Sequence, residues 1–99
     1  MKYNLELSKL AIKDIDDIWL YTFENWSKVQ ANRYYKELFV AIDRICKNPE
    51  IGKSLNDVKL NHRITKFKSH MIVYKLLDQT VYLDRILHER MDIDSLLDV

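Results

Sequence analysis

An α+β fold in the order β-α-α-β-β-β, with a helical hairpin packed on an antiparallel sheet in two layers, is the architecture this sequence predicts. Three observations predict it. The hydrophobic period runs from two to 3.6 and back to two along the chain. The two helical stretches are separated only by Asn25-Trp26-Ser27, a connection so short that they must run antiparallel. The one proline and the one glycine, Pro49 and Gly52, fall together in the single long break before the β-rich half.

The first element is a half-buried strand over residues 2–7, because Tyr3, Leu5 and Leu7 alternate with Lys2, Asn4 and Glu6. Ser8 follows where an N-cap belongs. Ala11, Ile15, Ile18, Trp19, Thr22 and Trp26 then form one apolar stripe of a helix from about Lys9 to Glu24. Ser27 and Gln30 make a capping box that starts a second helix at once. Its stripe is Ala31, Tyr34, Tyr35, Leu38, Ala41, Ile42 and Ile45, and it ends near Lys47-Asn48, before Pro49. Residues 48–57 read as a loop. Val58–Phe67 is expected as a polar, solvent-facing or edge strand. Met71–Leu77 and Val81–Leu87, joined by Asp78-Gln79, form a hairpin. The first strand should return beside a C-terminal strand, and Leu96 and Leu97 at the end are free to pack.

Ninety-nine residues support one domain, spanning 1–99. A hydrophobic content of 47% is too high for intrinsic disorder. No apolar run approaches the ~20 residues of a membrane helix, so no membrane partner is expected. The single cysteine, Cys46, cannot close a disulfide within the chain, and no basic–apolar–small leader is recognisable. A cytoplasmic setting is expected.

The net charge of +1 argues against a protein built mainly to grip nucleic acid, and no direct sequence-specific binding to it is expected. The balance hides an asymmetry. Residues 53–75 carry six basic groups against Asp57 alone, and residues 78–99 carry six acids against Arg85 and Arg90. The basic block reads either as a solvated strand face or as a site for an acidic partner.

Little in the sequence points to a reactive centre. No Ser/His/Asp or Cys/His constellation can be built. His62, His70 and His88 lack metal-ligand spacing, and one glycine cannot make a phosphate cradle. No metal, cofactor or catalytic residue is expected. Cys46 reads as a small buried hydrophobe. Asp14, Asp16 and Asp17, and again Asp92 and Asp94, read as solvated faces. Trp19, Tyr34 and Tyr35 sit at helix-core spacing, while Tyr74 and Tyr82 could face either way. Arg85 alternates in register with Leu83 and Leu87, so it should share their apolar face and needs an anionic partner there. An acid of the first helix is the natural one.

Arg-Ile-Leu-His-Glu-Arg-Met-Asp at 85–92 closely resembles the C-terminal signature of the ParE toxins of type II toxin–antitoxin systems. Leu7-Ser8 with Ala11 and Asp14-Ile15, the Trp26 to Tyr34 turn, Asn48-Pro49 with Ile51-Gly52, and Ser69–Tyr74 match that family's pattern in order. The resemblance covers essentially the whole chain. It implies the RelE/ParE fold, a bacterial cytoplasmic toxin, a cognate antitoxin that wraps and neutralises it, and DNA gyrase as the target poisoned. The related RelE branch instead cleaves ribosome-bound mRNA with basic side chains and, in RelE itself, a C-terminal tyrosine. This chain departs from that pattern. No tyrosine follows Tyr82, and Met71 occupies the strand position of a RelE-branch arginine.

Three functions follow: an inhibitor of a macromolecular target, an mRNA endonuclease, and a non-toxic antitoxin-binding module. Candidate contacts to target or antitoxin are Arg63, Lys66, Lys68, His70, Arg85, His88 and Arg90.

Overall fold

The computed structural model describes residues 2–91 and Leu96. The first strand, β1 (Asn4–Leu7), gives way to α1 (Lys9–Asn25) at Ser8. Ser8 has extended backbone angles, and its Oγ accepts the Ala11 N–H at 2.9 Å, satisfying an orphan donor of the first turn. α1 stops where the Trp26 backbone leaves helical angles. One residue later Ser27 Oγ accepts the Gln30 N–H at 3.0 Å and α2 (Lys28–Lys47) begins. Trp19 Nε1 donates to Asn32 Oδ1 at 3.0 Å and ties the two helices together.

Pro49–Ile51 forms one 3-10 turn. Then come β2 (Lys53–Ser54), β3 (His62–Phe67), β4 (His70–Leu77) and β5 (Thr80–His88). The sheet order is β1-β5-β4-β3-β2. Strands β2 to β5 pair antiparallel, and β1 joins parallel to β5, Asn4 opposite Thr80 and Leu7 opposite Leu83. The N-terminal strand thus returns beside the last strand. Among the described residues no helix is long and apolar enough to cross a membrane.

The core lies between the hairpin and one sheet face. Ala11, Ile15, Leu38, Ile42 and Ile45 from the helices meet Ile72, Tyr74, Val81, Leu83 and Ile86 from the strands. Cys46 is buried among them, and burial pushes its thiol pKa up, as expected for a packing residue. The opposite sheet face is not bare. Leu55 and Val58, from the connection between β2 and β3, cover Val73, Leu87 and Ile64.

Several expectations are corrected. β3 starts at His62, not Val58. Residues 58–61 belong to the covering connection, which turns at Asn61 with φ 65°. The loop expected at 48–57 contains the two-residue β2, which pairs only with Ile64 and Arg63, so β3 is an edge strand beyond them and not along its whole length. Trp26 is 70% exposed, since α1 ends at it, and Tyr35 is exposed as well. Asp14 is not on a solvated face. The β5 register shifts between Leu83, opposite Tyr74, and Arg85, opposite Val73, leaving Asp84 unpaired as a bulge. Leu83 and Leu87 therefore lie on opposite faces, and Arg85 does not share both. The end segment 91–97 lies outside the described residues apart from Met91 and Leu96, both exposed. Asp92 and Asp94 lie outside them too.

Candidate functional site

β1 pairs with β5 only as far as Leu7, opposite Leu83, so the second half of β5 has an open edge. α1 closes it with a carboxylate. Asp14 Oδ2 accepts the Ile86 N–H at 2.9 Å and Arg85 Nε at 2.8 Å, and Asp14 Oδ1 accepts Arg85 Nη2 at 3.0 Å. This fork is the helix-1 acid that Arg85 was expected to find. Its hydrogen bonds also push the Arg85 pKa up, so the guanidinium stays charged.

Beyond that brace the ends of α1, α2, β4 and β5 frame a cavity of about 610 Å³. Such a volume suits a small ligand or a few side chains. His70, first residue of β4, pairs in register with His88, last residue of β5, and their rings stand edge to face at 5.2 Å. Tyr34 of α2 comes down on this pair, its hydroxyl 2.6 Å from His70 Nδ1. Burial lowers the His70 pKa, and the neighbouring His88 lowers it further, so the neutral imidazole is favoured. Burial likewise raises the Tyr34 pKa and keeps the phenol protonated. Arg90, Tyr21 and Trp26 complete the rim. The Arg90 backbone N–H donates to His88 Nδ1 at 3.1 Å, which fixes that ring.

The predicted candidates divide into two groups. Lys66, Lys68, His70, His88 and Arg90 gather at this end of the sheet. Lys68 sits in the β3–β4 turn with φ 52°, pairs with Glu37 and lies 5.4 Å from the Tyr34 ring centroid. Lys66 pairs with Glu89 at 3.1 Å and holds that carboxyl below its usual pKa range. Arg63 and Arg85 stand apart. Arg63 Nη1 donates to the Gly52 carbonyl at 2.7 Å and anchors the turn before β2, while Arg85 is spent on Asp14. Tyr34, Tyr21 and Trp26 belong to the cavity but were not singled out. Tyr34 sat within an apolar helical stripe, and no spacing rule connects it with a histidine at the start of β4.

Among the described residues no group of three or more His, Cys, Asp or Glu side chains is arranged to hold a metal ion. The neutral histidine, phenol and guanidinium could pass a proton or neutralise an anion. The same cavity could equally receive an apolar side chain with a carboxylate beside it.

Comparison with known proteins settles the family. The family described as "ParE toxin of type II toxin-antitoxin system, parDE" matches residues 5–93. A Toxin ParE1 of Mycobacterium tuberculosis is 36% identical over 89 residues, covering 89% of this chain and 91% of that one. A Toxin ParE1 of Caulobacter vibrioides is 33% identical over 86 residues, covering 87% and 88%. Among solved structures, the chromosomal ParDE toxin–antitoxin system of P. aeruginosa aligns with a TM-score of 0.77 at 11% identity, over 88% of this chain and 96% of that chain. The RelBE2 toxin–antitoxin complex of M. tuberculosis aligns with a TM-score of 0.61 at 17% identity, over 89% and 99%. These structural likenesses speak to the shared fold of two helices on a mixed sheet. With the family match spanning nearly all of it, the chain belongs to the ParE toxins of type II toxin–antitoxin systems.

Proposed function

We propose that this toxin acts in the cytoplasm by binding and inhibiting a macromolecular target, DNA gyrase, and that a cognate antitoxin neutralises it by covering the same end of the sheet. Family membership carries the reading. The division of the cations supports a binding mode of action. Arg85, the most buried arginine of the 85–92 signature, is locked to Asp14 and is not free to stabilise charge developing on a phosphate. Lys66 and Lys68 are already paired with carboxylates that an acidic partner segment can replace. The exposed edge of β3 beyond β2 offers backbone groups for strand addition.

The test has two arms. Purified protein is added to gyrase in a DNA supercoiling assay and to translating ribosomes in an RNA-cleavage assay. Loss of supercoiling activity with intact RNA is the expected result. Induction in growing cells should give filamentation and DNA-damage signalling. Unchanged growth would leave only the antitoxin-binding module.

One observation favours a second reading, an mRNA endonuclease. His70, His88, Tyr34 and Arg90 converge on one cavity, where an acid, a base and a cation could meet a scissile phosphate. Transcript cutting that is lost in His88→Ala and Arg90→Ala would replace the first reading with this one.

A further inference from the structure

The outer face of the helical hairpin, whose groove shares no residue with the cavity described above, is unusually apolar for a surface. Trp19 stacks on Phe23 at 5.3 Å with the rings 9° from parallel, and Tyr35 packs on Phe39 at 4.8 Å. Leu20 is 49% exposed, Tyr35 45% and Phe23 44%. Asp16, Trp19, Leu20, Asn32 and Tyr35 line a groove of about 510 Å³ along the seam of the two helices. Contiguous apolar surface of this kind marks an interaction site.

Charge indicates what covers it. α1 carries four acids against two bases, and α2 carries five bases against two acids. Among the described residues Asp16, Glu24, Lys28 and Lys36 form no ion pair. The Trp19–Asn32 hydrogen bond sets the level of the antiparallel helices: residues whose numbers sum to about 51 stand side by side. Asp16 is then within one residue of level with Lys36, and Glu24 with Lys28. A two-fold axis parallel to the helices keeps these levels and lays α1 of one copy over α2 of the other. Asp16 meets Lys36 of the partner subunit, and Glu24 meets Lys28 of the partner subunit. The other face-to-face two-fold, perpendicular to the helices, sets acidic α1 on acidic α1 and basic α2 on basic α2, which like-charge repulsion opposes.

We propose that the free toxin self-associates through this face, as a two-fold dimer in which the α1–α2 hairpins stack, α1 over α2, around the Leu20 groove. A 20-residue helix is about 30 Å long and two packed helices are roughly 20 Å across, so the face offers roughly 600 Å² in projection, near one side of a small specific interface. An interface of that size lies at the low end of the specific complexes, where association is weak and transient. The inference does not depend on gyrase being the target.

Sedimentation of the full chain, without antitoxin, over about 1 to 500 μM, the range in which a weak dimer becomes populated, tests it. A monomer–dimer equilibrium is expected. It should weaken several-fold in about 0.5 M salt and vanish in Leu20→Glu, whose surface position leaves the fold intact. An oxidised mixture of Asp16→Cys and Lys36→Cys proteins should give the mixed disulfide in preference to the Asp16→Cys homodimer, with Cys46 buried and silent. A monomer at every concentration, including one that binds only a foreign helix on this face, overturns the proposal. So does a dimer that survives Leu20→Glu, or a preference for the Asp16→Cys homodimer.

Discussion

Replacing Asp14 by alanine tests the brace between α1 and β5. The carboxylate accepts three hydrogen bonds, two from Arg85 and one from the Ile86 backbone. Its side chain is 13% exposed and that of Arg85 21%. Loss of the carboxylate leaves the Ile86 N–H unpaired, at about 1–2 kcal/mol. It also strands a guanidinium. A fully buried pair broken this way loses about 3–5 kcal/mol, but the fifth of Arg85 still open to water reduces the charge's share. The expected destabilisation is about 3 kcal/mol. With a urea m-value of about 1.5 kcal/mol/M, the midpoint should fall by roughly 2 M. Asp14→Asn, which keeps an acceptor for the amide, should lose less. Arg85→Met removes the stranded charge, so Asp14→Ala in that background should be milder by about 1–2 kcal/mol. A loss below about 1 kcal/mol, or single losses that simply add, would show that the fork does not carry the contact between α1 and β5.

Four further outcomes follow. A Cβ at Gly52 would overlap the Tyr74 hydroxyl and stand 2.9 Å from two ring carbons of a fully buried side chain, so Gly52→Ala should lose about 2–3 kcal/mol in chemical denaturation. Tyr74→Phe should lose about 1–3 kcal/mol, because that hydroxyl accepts the Gly52 N–H at 2.9 Å and donates to the Pro49 carbonyl at 2.6 Å; a neutral result for either variant contradicts the buried tie. The lowered His70 pKa means the unfolded chain binds the extra proton first. Stability should therefore hold above about pH 6.5 and fall as the pH drops from there toward the folded-state pKa, a slope that thermal melts should find reduced in His70→Gln. If the basic turn steers an acidic antitoxin, Lys66→Glu with Lys68→Glu should slow association about tenfold at low salt and much less at high salt in stopped-flow mixing; an unchanged rate rejects the steering.

What could be read from the sequence followed periodicity and caps. Ser8 and Ser27 placed both helix starts because an N-cap is a local device, decided by neighbours three residues away. The Asp78-Gln79 turn was legible for the same reason, with Asp78 at φ 56°. What could not be read was non-local. The parallel pairing of β1 depends on which strand end the hairpin returns to, and no residue of Asn4–Leu7 encodes it. β2 exists only because Lys53 and Ser54 find Ile64 and Arg63. The basic block was visible as charge, but the separation of Arg63 and Arg85 from Lys66, Lys68, His70, His88 and Arg90 needed the register. Tyr34 was invisible as a site residue because its spacing is that of a core position, and half of it is one.

The single residue that most alters the reading is Asp84. Were it paired in register instead of bulged, strict alternation along β5 would put Arg85 and Leu87 on the helix face with Leu83, and would turn Ile86 and His88 outward. The bulge reverses this. Ile86 joins the core beneath the helices, and Leu87 goes to the far face under Leu55 and Val58. His88, two residues beyond Ile86, lands on the helix side opposite His70. The inserted residue is held from both sides. Its carbonyl accepts the Ser8 hydroxyl at 2.6 Å at the start of α1. Its carboxylate takes Lys59 Nζ at 3.0 Å and lies 3.6 Å from His62 Nε2, pinning the covering connection. One extra residue in a strand therefore assembles the histidine pair, frees Arg85 to reach round the edge to Asp14, and fastens the loop on the far face. The cavity is a product of register, which is why a reading that kept period two through residues 83–87 named His70, His88 and Arg90 without seeing that they line one cavity.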